Sequence, residues 1–157
     1  MKLNGKKLSE SNKETIVFPR PDGDLVFVLA AVLCTDEFEK LCPEVLPPMI
    51  RRPSQDVATP DLSDKDYQNA LMERAKQQSR WMFLKSISAT PGLEWEEVDI
   101  NKPNTWDKID EEFLKSGIVN SERVQLYNAM MRANSLDAAY LKAARERFFA
   151  SQQAPKS

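Results

Sequence analysis

The stretch LSDKDYQNALMERAKQQSRWMFLKSISATPGLEWEEVDINKPNTW, residues Leu62 to Trp106, decides how the chain is organised. It opens on Ser63, whose hydroxyl suits the free amides at a helix start. Asp64 and Asp66 follow where the positive end of a helix favours carboxylates. Tyr67, Leu71, Ala75, Trp81, Met82, Leu84 and Ile87 then recur mostly at helical steps. Thr90-Pro91-Gly92 closes the pattern, because proline pushes the residue before it out of helical geometry. The middle of the helix, Arg74 to Arg80, is polar, which predicts two ends packed on different partners and a solvated waist. Beyond the stop, Leu93, Trp95 and Val98 are interspersed with Glu94, Glu96, Glu97 and Asp99, as in a short strand or an extended elbow.

Downstream, the signals are helical. Asn104 or Thr105 is placed to cap a helix carrying Trp106, Ile109 and Phe113 on one face. Gly117 ends that helix as a left-handed residue, with Ile118 folding back on Phe113. Asn120 is expected to cap the next helix, with Val119 and Val124 spaced as a hydrophobic staple. Val124, Tyr127, Met130 and Met131 are its expected inner face. Asn134 and Ser135 break the chain. A last helix is predicted from about Leu136 to Phe149, with Leu136, Tyr140, Leu141, Ala144 and Phe148 as its apolar side. Residues 151–157 are expected to be a disordered tail.

Upstream, residues 1–33 read as strands. Asn4-Gly5 is a tight-turn pair. Thr15-Ile16-Val17-Phe18 and Leu25-Val26-Phe27-Val28-Leu29 flank Asp22-Gly23, a hairpin signal, because glycine accepts the positive φ of the turn. Pro19 and Pro21 cannot donate to a ladder and belong in the loop. Thr35-Asp36-Glu37-Phe38 opens a short helix. Pro43, Pro47, Pro48, Pro53 and Pro60 then mark an extended connector of about 19 residues, long for a loop inside a compact domain and read as a strap across the helices. The fold class is therefore α+β, mostly α: an N-terminal β-hairpin region (1–33), a short helix with a proline-rich connector (34–61), and an antiparallel bundle of about four helices (62–150), together one folded unit.

Composition narrows the function. The chain of 157 residues carries 22 basic and 24 acidic side chains, closely mixed, for a net charge of −2. No basic block tracks a phosphate backbone, so no nucleic-acid partner is expected. No apolar run is long enough to cross a bilayer and no signal peptide is evident, so no membrane partner and a cytoplasmic location are expected. With no histidine in the sequence, Ser-His-Asp and Cys-His arrangements are excluded within one chain. Cys34 and Cys42 do not form a CxxC and read as reduced, structural thiols. No phosphate-cradling glycine loop occurs. Glu96-Glu97 and Glu111-Glu112 are paired carboxylates, but both pairs read as exposed. The chain is thus expected to be no enzyme, with neither metal nor cofactor.

What remains is binding. The internal methionines adapt to variable apolar partners when exposed, although most of them read as filling a helical core. The candidate partner-binding residues are Met49, Ile50, Trp81, Met82, Met130 and Met131, with Met82 and Met131 expected to be the exposed ones.

The order of landmarks also resembles a known group. Pro19-Arg20-Pro21-Asp22-Gly23-Asp24-Leu25-Val26-Phe27 leads to Leu41-Cys42-Pro43 and Pro47-Pro48. Leu84-Lys85-Ser86-Ile87, Thr90-Pro91-Gly92-Leu93-Glu94-Trp95-Glu96 and Pro103-Asn104-Thr105-Trp106 follow, then Asn134-Ser135-Leu136-Asp137 and Ala144-Arg145. In this the chain is similar to tail assembly chaperones of long-tailed bacteriophages. The resemblance implies a largely helical viral protein that binds a tape measure protein or tail tube subunits during virion assembly, with possible homo-oligomers. The alternative is a structural virion component or connector.

Overall fold

The structure, a computed structural model, describes residues 1–7 and 11–153. It is α+β and mostly α, about 48% helical, with five helices among the described residues. The first turn is as its chemistry requires. Asn4 and Gly5 both hold positive φ between β1 (Lys2–Leu3) and β2 (Lys6–Lys7). The main hairpin pairs β3 (Lys13–Phe18) with β4 (Leu25–Ala30), and the register runs from Phe18 opposite Leu25 to Lys13 opposite Ala30. Pro19 and Pro21 lie in the loop, clear of the ladder. Alternation puts Ile16, Phe18, Phe27 and Leu29 inward and leaves Val17 and Val26, a directly opposed pair, on the outer face.

The hairpin lies on helices, as a two-stranded sheet must. Helix α2 (Lys65–Ile87) brings Ser86 to the outer edge of β4, where its hydroxyl donates to the Ala30 carbonyl at 2.7 Å. Just beyond, the Thr90 hydroxyl accepts from Val28 N–H at 2.8 Å and donates to Val28 O at 3.0 Å. Two side chains thus satisfy an edge that would otherwise present bare backbone.

Between sheet and helix runs α1 (Asp36–Leu41), whose Phe38 is fully buried against Trp81 and Trp106. The connector after it is not simply extended. It folds into a third small pair, β5 (Met49–Ile50) with β6 (Thr59–Pro60), extended by a hydrogen bond from Asp61 N–H to Pro48 O at 2.8 Å. Arg74 of α2 anchors the start of the connector. Its Nε donates to the carbonyls of Cys42 and Pro43, its guanidinium pairs with Glu39, and it lies over the Phe38 ring.

Asp64, not Ser63, caps α2: its carboxylate accepts Tyr67 N–H at 2.8 Å, while the Ser63 hydroxyl turns to Asp61. Only the second half of α2 enters the core, through Trp81, Phe83, Leu84 and Ile87. The first half leaves Leu71 and Met72 exposed, with no second apolar partner over them among the described residues.

The elbow forms no strand. It passes into a 3₁₀ turn (Pro103–Lys108) and then α3 (Ile109–Lys115). Neither Asn104 nor Thr105 is the N-cap. The Thr105 hydroxyl instead accepts from Asp99 N–H at 2.9 Å, and the Trp106 indole N–H donates to Asp99 O at 3.0 Å. The end of α3 follows its sequence closely. Gly117 has φ +76°, Ile118 N–H donates to Phe113 O and Gly117 N–H to Leu114 O, and Ile118 is buried.

Helix α4 (Asn120–Ala133) starts one residue earlier than its expected cap implied, with Val119 at the N-cap and Glu122 accepting Val119 N–H. Val119 and Val124 are half exposed and make no staple. The inner face is Leu126, Ala129, Met130 and Ala133, while Tyr127 stacks on Phe83 with ring centroids 4.3 Å apart. The buried side chains of β3, β4, α1, the elbow and α2–α4 form one core. Helix α5 (Ala138–Gln153) contributes none of them, so the packed bundle is smaller than the four helices expected. Ser151 to Gln153 continue α5 instead of belonging to a tail, and residues 154–157 lie outside the described residues.

Candidate functional site

The six residues proposed from sequence do not form one surface. Met49 and Ile50 sit on β5 in the connector, with Met49 exposed. Trp81 and Met130 are core residues, buried where the second half of α2, α4 and the hairpin converge, and they leave the candidate set for that reason. Met82 and Met131 are partly buried and pack against the same core rather than standing in solvent. The helical period that marked these residues as apolar is shared by inward and outward stripes, and only the packing partner decides between them.

Two other apolar features are open. The first is α5. Steps of four residues place Tyr140, Ala144 and Phe148 on one side, with Leu141 beside them, while Leu136 lies just before the helix. In a bundle of about four antiparallel helices such a stripe is expected to face the other helices. Among the described residues it meets no partner, and Phe148 and Phe149 keep 59% and 51% of their surface. By the same helical steps Arg145 and Arg147 flank the stripe on opposite sides. With Lys142 and Glu146 they give α5 three basic and one acidic side chain, a net +2. Lys142 reaches Glu146 at 3.9 Å and the Arg145 guanidinium sits over the Phe149 ring, whereas neither arginine has an ion-pair partner among the described residues.

The second feature is a groove of about 170 Å³ between the hairpin, the elbow and α3. Leu25 and Phe27 of the hairpin, Leu93 and Trp95 of the elbow, and Phe113 and Ile118 line it, together with the polar Glu94, Glu112 and Ser116. Glu112 is also buried, and its carboxylate accepts the backbone N–H groups of Glu96, Glu97 (3.2 Å) and Val98 (3.1 Å). Glu112 thus holds the elbow in shape. Glu112 is therefore not exposed as expected for the Glu111-Glu112 pair, because it stands three residues after Ile109 and next to Phe113, on the inward face of α3. Glu97 turns away to Lys115 (2.7 Å) and Lys108 (2.9 Å), and these two hydrogen bonds push its carboxyl down to about 2. Glu94, which lines the groove, and Glu96, two residues further along the elbow, make no ion pair among the described residues.

The reactive side chains offer little chemistry. Burial pushes the Cys42 thiol above its usual value, and Cys34 is exposed. Burial also pushes the Tyr127 phenol up to about 12. Among the described residues, no three acidic or cysteine side chains converge as a metal site, and no helix is long and apolar enough to cross a membrane. No protein-family model matches the chain, and neither a curated protein nor a solved structure does.

Proposed function

We propose that the protein works by binding another protein and catalyses no reaction. It shields an apolar segment of a tape measure or tail tube protein during phage tail assembly in the host cytoplasm. One observation carries the reading: α5 presents an apolar stripe ending in Phe148 and Phe149 that nothing among the described residues covers. A stable helix exposing large apolar side chains on one face marks a docking site. The sequence resemblance supplies the class of partner, and the open stripe supplies the means of holding it.

Co-expression with a tape measure protein tests it. Wild-type chain should raise the soluble yield of that partner, and Phe148→Asp should remove the gain while the variant itself stays folded. An unchanged yield with wild type counts against the reading. A chaperone should also be missing from finished particles by mass spectrometry. A fixed number of copies per particle would replace it with the structural-component reading.

A further inference from the structure

The two open features are complementary in shape and in charge. The groove of about 170 Å³ is slightly larger than the cavity of about 150 Å³ that admits a benzene ring, so it has room for one phenyl group. Its lining is mostly aromatic and aliphatic, with Trp95 and Phe113 already edge-to-face at 5.2 Å and ready to take a third ring. Phe148 is the most exposed aromatic side chain of α5. Net charge separates in the same sense. With α5 at +2 and the whole chain at −2, the remainder of the chain carries −4. Arg145 and Arg147 flank Phe148, Glu94 lines the groove and Glu96 stands two residues further along the same elbow, all four without ion-pair partners among the described residues.

We propose that the occupant of the groove is Phe148 from a second copy of this chain, with the arginines of its α5 pairing across the interface to Glu94 and Glu96. The exchange is reciprocal, each copy giving one arm and receiving another, which closes the assembly as a two-fold dimer. Reciprocity is required energetically. One aromatic side chain buries about 150–250 Å², well under the roughly 1,200–2,000 Å² of a stable interface, and two arms with their stripes approach that range. The dimer is correspondingly of moderate strength, with Kd in the micromolar range. It also covers at rest the helix that a tail protein would take, so the partner and the second copy compete. The proposal needs no tail protein to exist. A monomeric chain that still solubilised a tape measure protein would sink the dimer and leave the functional reading standing.

Sedimentation velocity of the full chain over a range of concentrations tests it. Wild type should shift from monomer to dimer, and high salt should weaken the dimer. Phe148→Asp should raise Kd at least about tenfold. Charge reversal gives the decisive arm. Glu94→Lys with Glu96→Lys leaves positive grooves facing positive arms, and Arg145→Glu with Arg147→Glu leaves negative grooves facing negative arms, so each pair alone should be monomeric. Mixing the two variants should restore a heterodimer, because each arm then meets a groove of opposite sign. Failure of the mixture to associate overturns the proposal, as does dimerisation that survives Phe148→Asp. A wild-type monomer at every concentration also overturns it, whether the groove stays open or takes the chain's own Phe148.

Discussion

The guanidinium of Arg20 grips the carboxylate of Glu122 through two parallel hydrogen bonds, Nη1–Oε1 at 2.8 Å and Nη2–Oε2 at 2.7 Å. Arg20 lies in the loop of the main hairpin and Glu122 in the first turn of α4, so one fork ties sheet to bundle. The same carboxylate accepts Val119 N–H and satisfies a free amide at the helix start. The Arg20 hydrogen bond is the largest cause holding the Glu122 carboxyl below its usual range, and the Glu122 hydrogen bond holds Arg20 above its own. Arg20→Lys keeps the charge but loses the fork, and it should lower the thermal midpoint. Glu122→Ala loses fork and cap together and should lower it further. Equal midpoints for the two variants would show that the cap contributes nothing.

Glu97 makes an acid-sensitive contact. Its folded carboxyl sits at about 2 against an ordinary 4.5, with the Lys115 hydrogen bond as the leading cause. A depressed carboxyl stabilises the fold above its unfolded value. That contribution fades as pH falls from 4.5 towards about 2. The pair is exposed, so solvent and salt screen it. Urea midpoints measured across this acid window should fall less steeply in Glu97→Gln than in wild type. Identical slopes would assign the acid limb to other carboxylates.

Local chemistry was readable in the sequence where a single residue dictates the backbone. Asn4-Gly5, Asp22-Gly23 and Gly117-Ile118 each required a conformation that tertiary packing did not override. Cap register was less readable, because Ser63 and Asp64 are both competent caps and differ by one residue. Facing was least readable. Trp81, Met82, Met130 and Met131 carry the right period, yet which stripe turns inward depends on where the hairpin lands, and that is a long-range outcome. Tyr140, Leu141 and Phe148 carry a sound helical stripe, but the described residues supply no surface to cover it. The β5–β6 pair lacked a signal, since two-residue strands have no period to detect. The open groove was equally hidden: its walls come from three segments distant in sequence.

Gly117 isolates the energy of a helix end. Its φ of +76° is favourable only for glycine, and a Cβ there would meet no atom within 4 Å. Gly117→Ala should therefore cost about 1–2 kcal/mol through backbone conformation alone. Gly117→Asn should cost less, since asparagine tolerates the left-handed region. Urea unfolding of both variants checks the order, and an alanine variant as stable as wild type would contradict the cap.

Glu112 should behave unlike the other acidic residues of the elbow. Removing it leaves the amides of Glu96, Glu97 and Val98 without their acceptor in a partly closed site. Glu112→Ala should cost about 3 kcal/mol, because hydrogen bonds to charged groups are the stronger ones and stranded amides add to the loss. Glu94→Ala and Glu96→Ala, whose side chains stand in solvent, should stay within about 0.5 kcal/mol of wild type. Trp95 lies on the same elbow, so its fluorescence should report loosening in Glu112→Ala before global unfolding. A single unfolding transition with wild-type emission up to the midpoint would mean that the elbow holds its shape without the carboxylate.

Trp81 and Phe148 separate stability from binding. Trp81 is fully buried against Phe38, and Trp81→Ala should cost about 3–5 kcal/mol, as expected for deleting a large aromatic from a packed core. Phe148 touches no core residue, so Phe148→Asp should change stability by no more than about 0.5 kcal/mol. Partner solubilisation should follow the opposite order once each variant is assayed well below its own unfolding midpoint. Phe148→Asp should lose it, and Trp81→Phe, which preserves most of the buried ring, should keep it. If Trp81→Phe abolished solubilisation while retaining the fold, the binding surface would lie on α2, and α5 would be only an exposed helix.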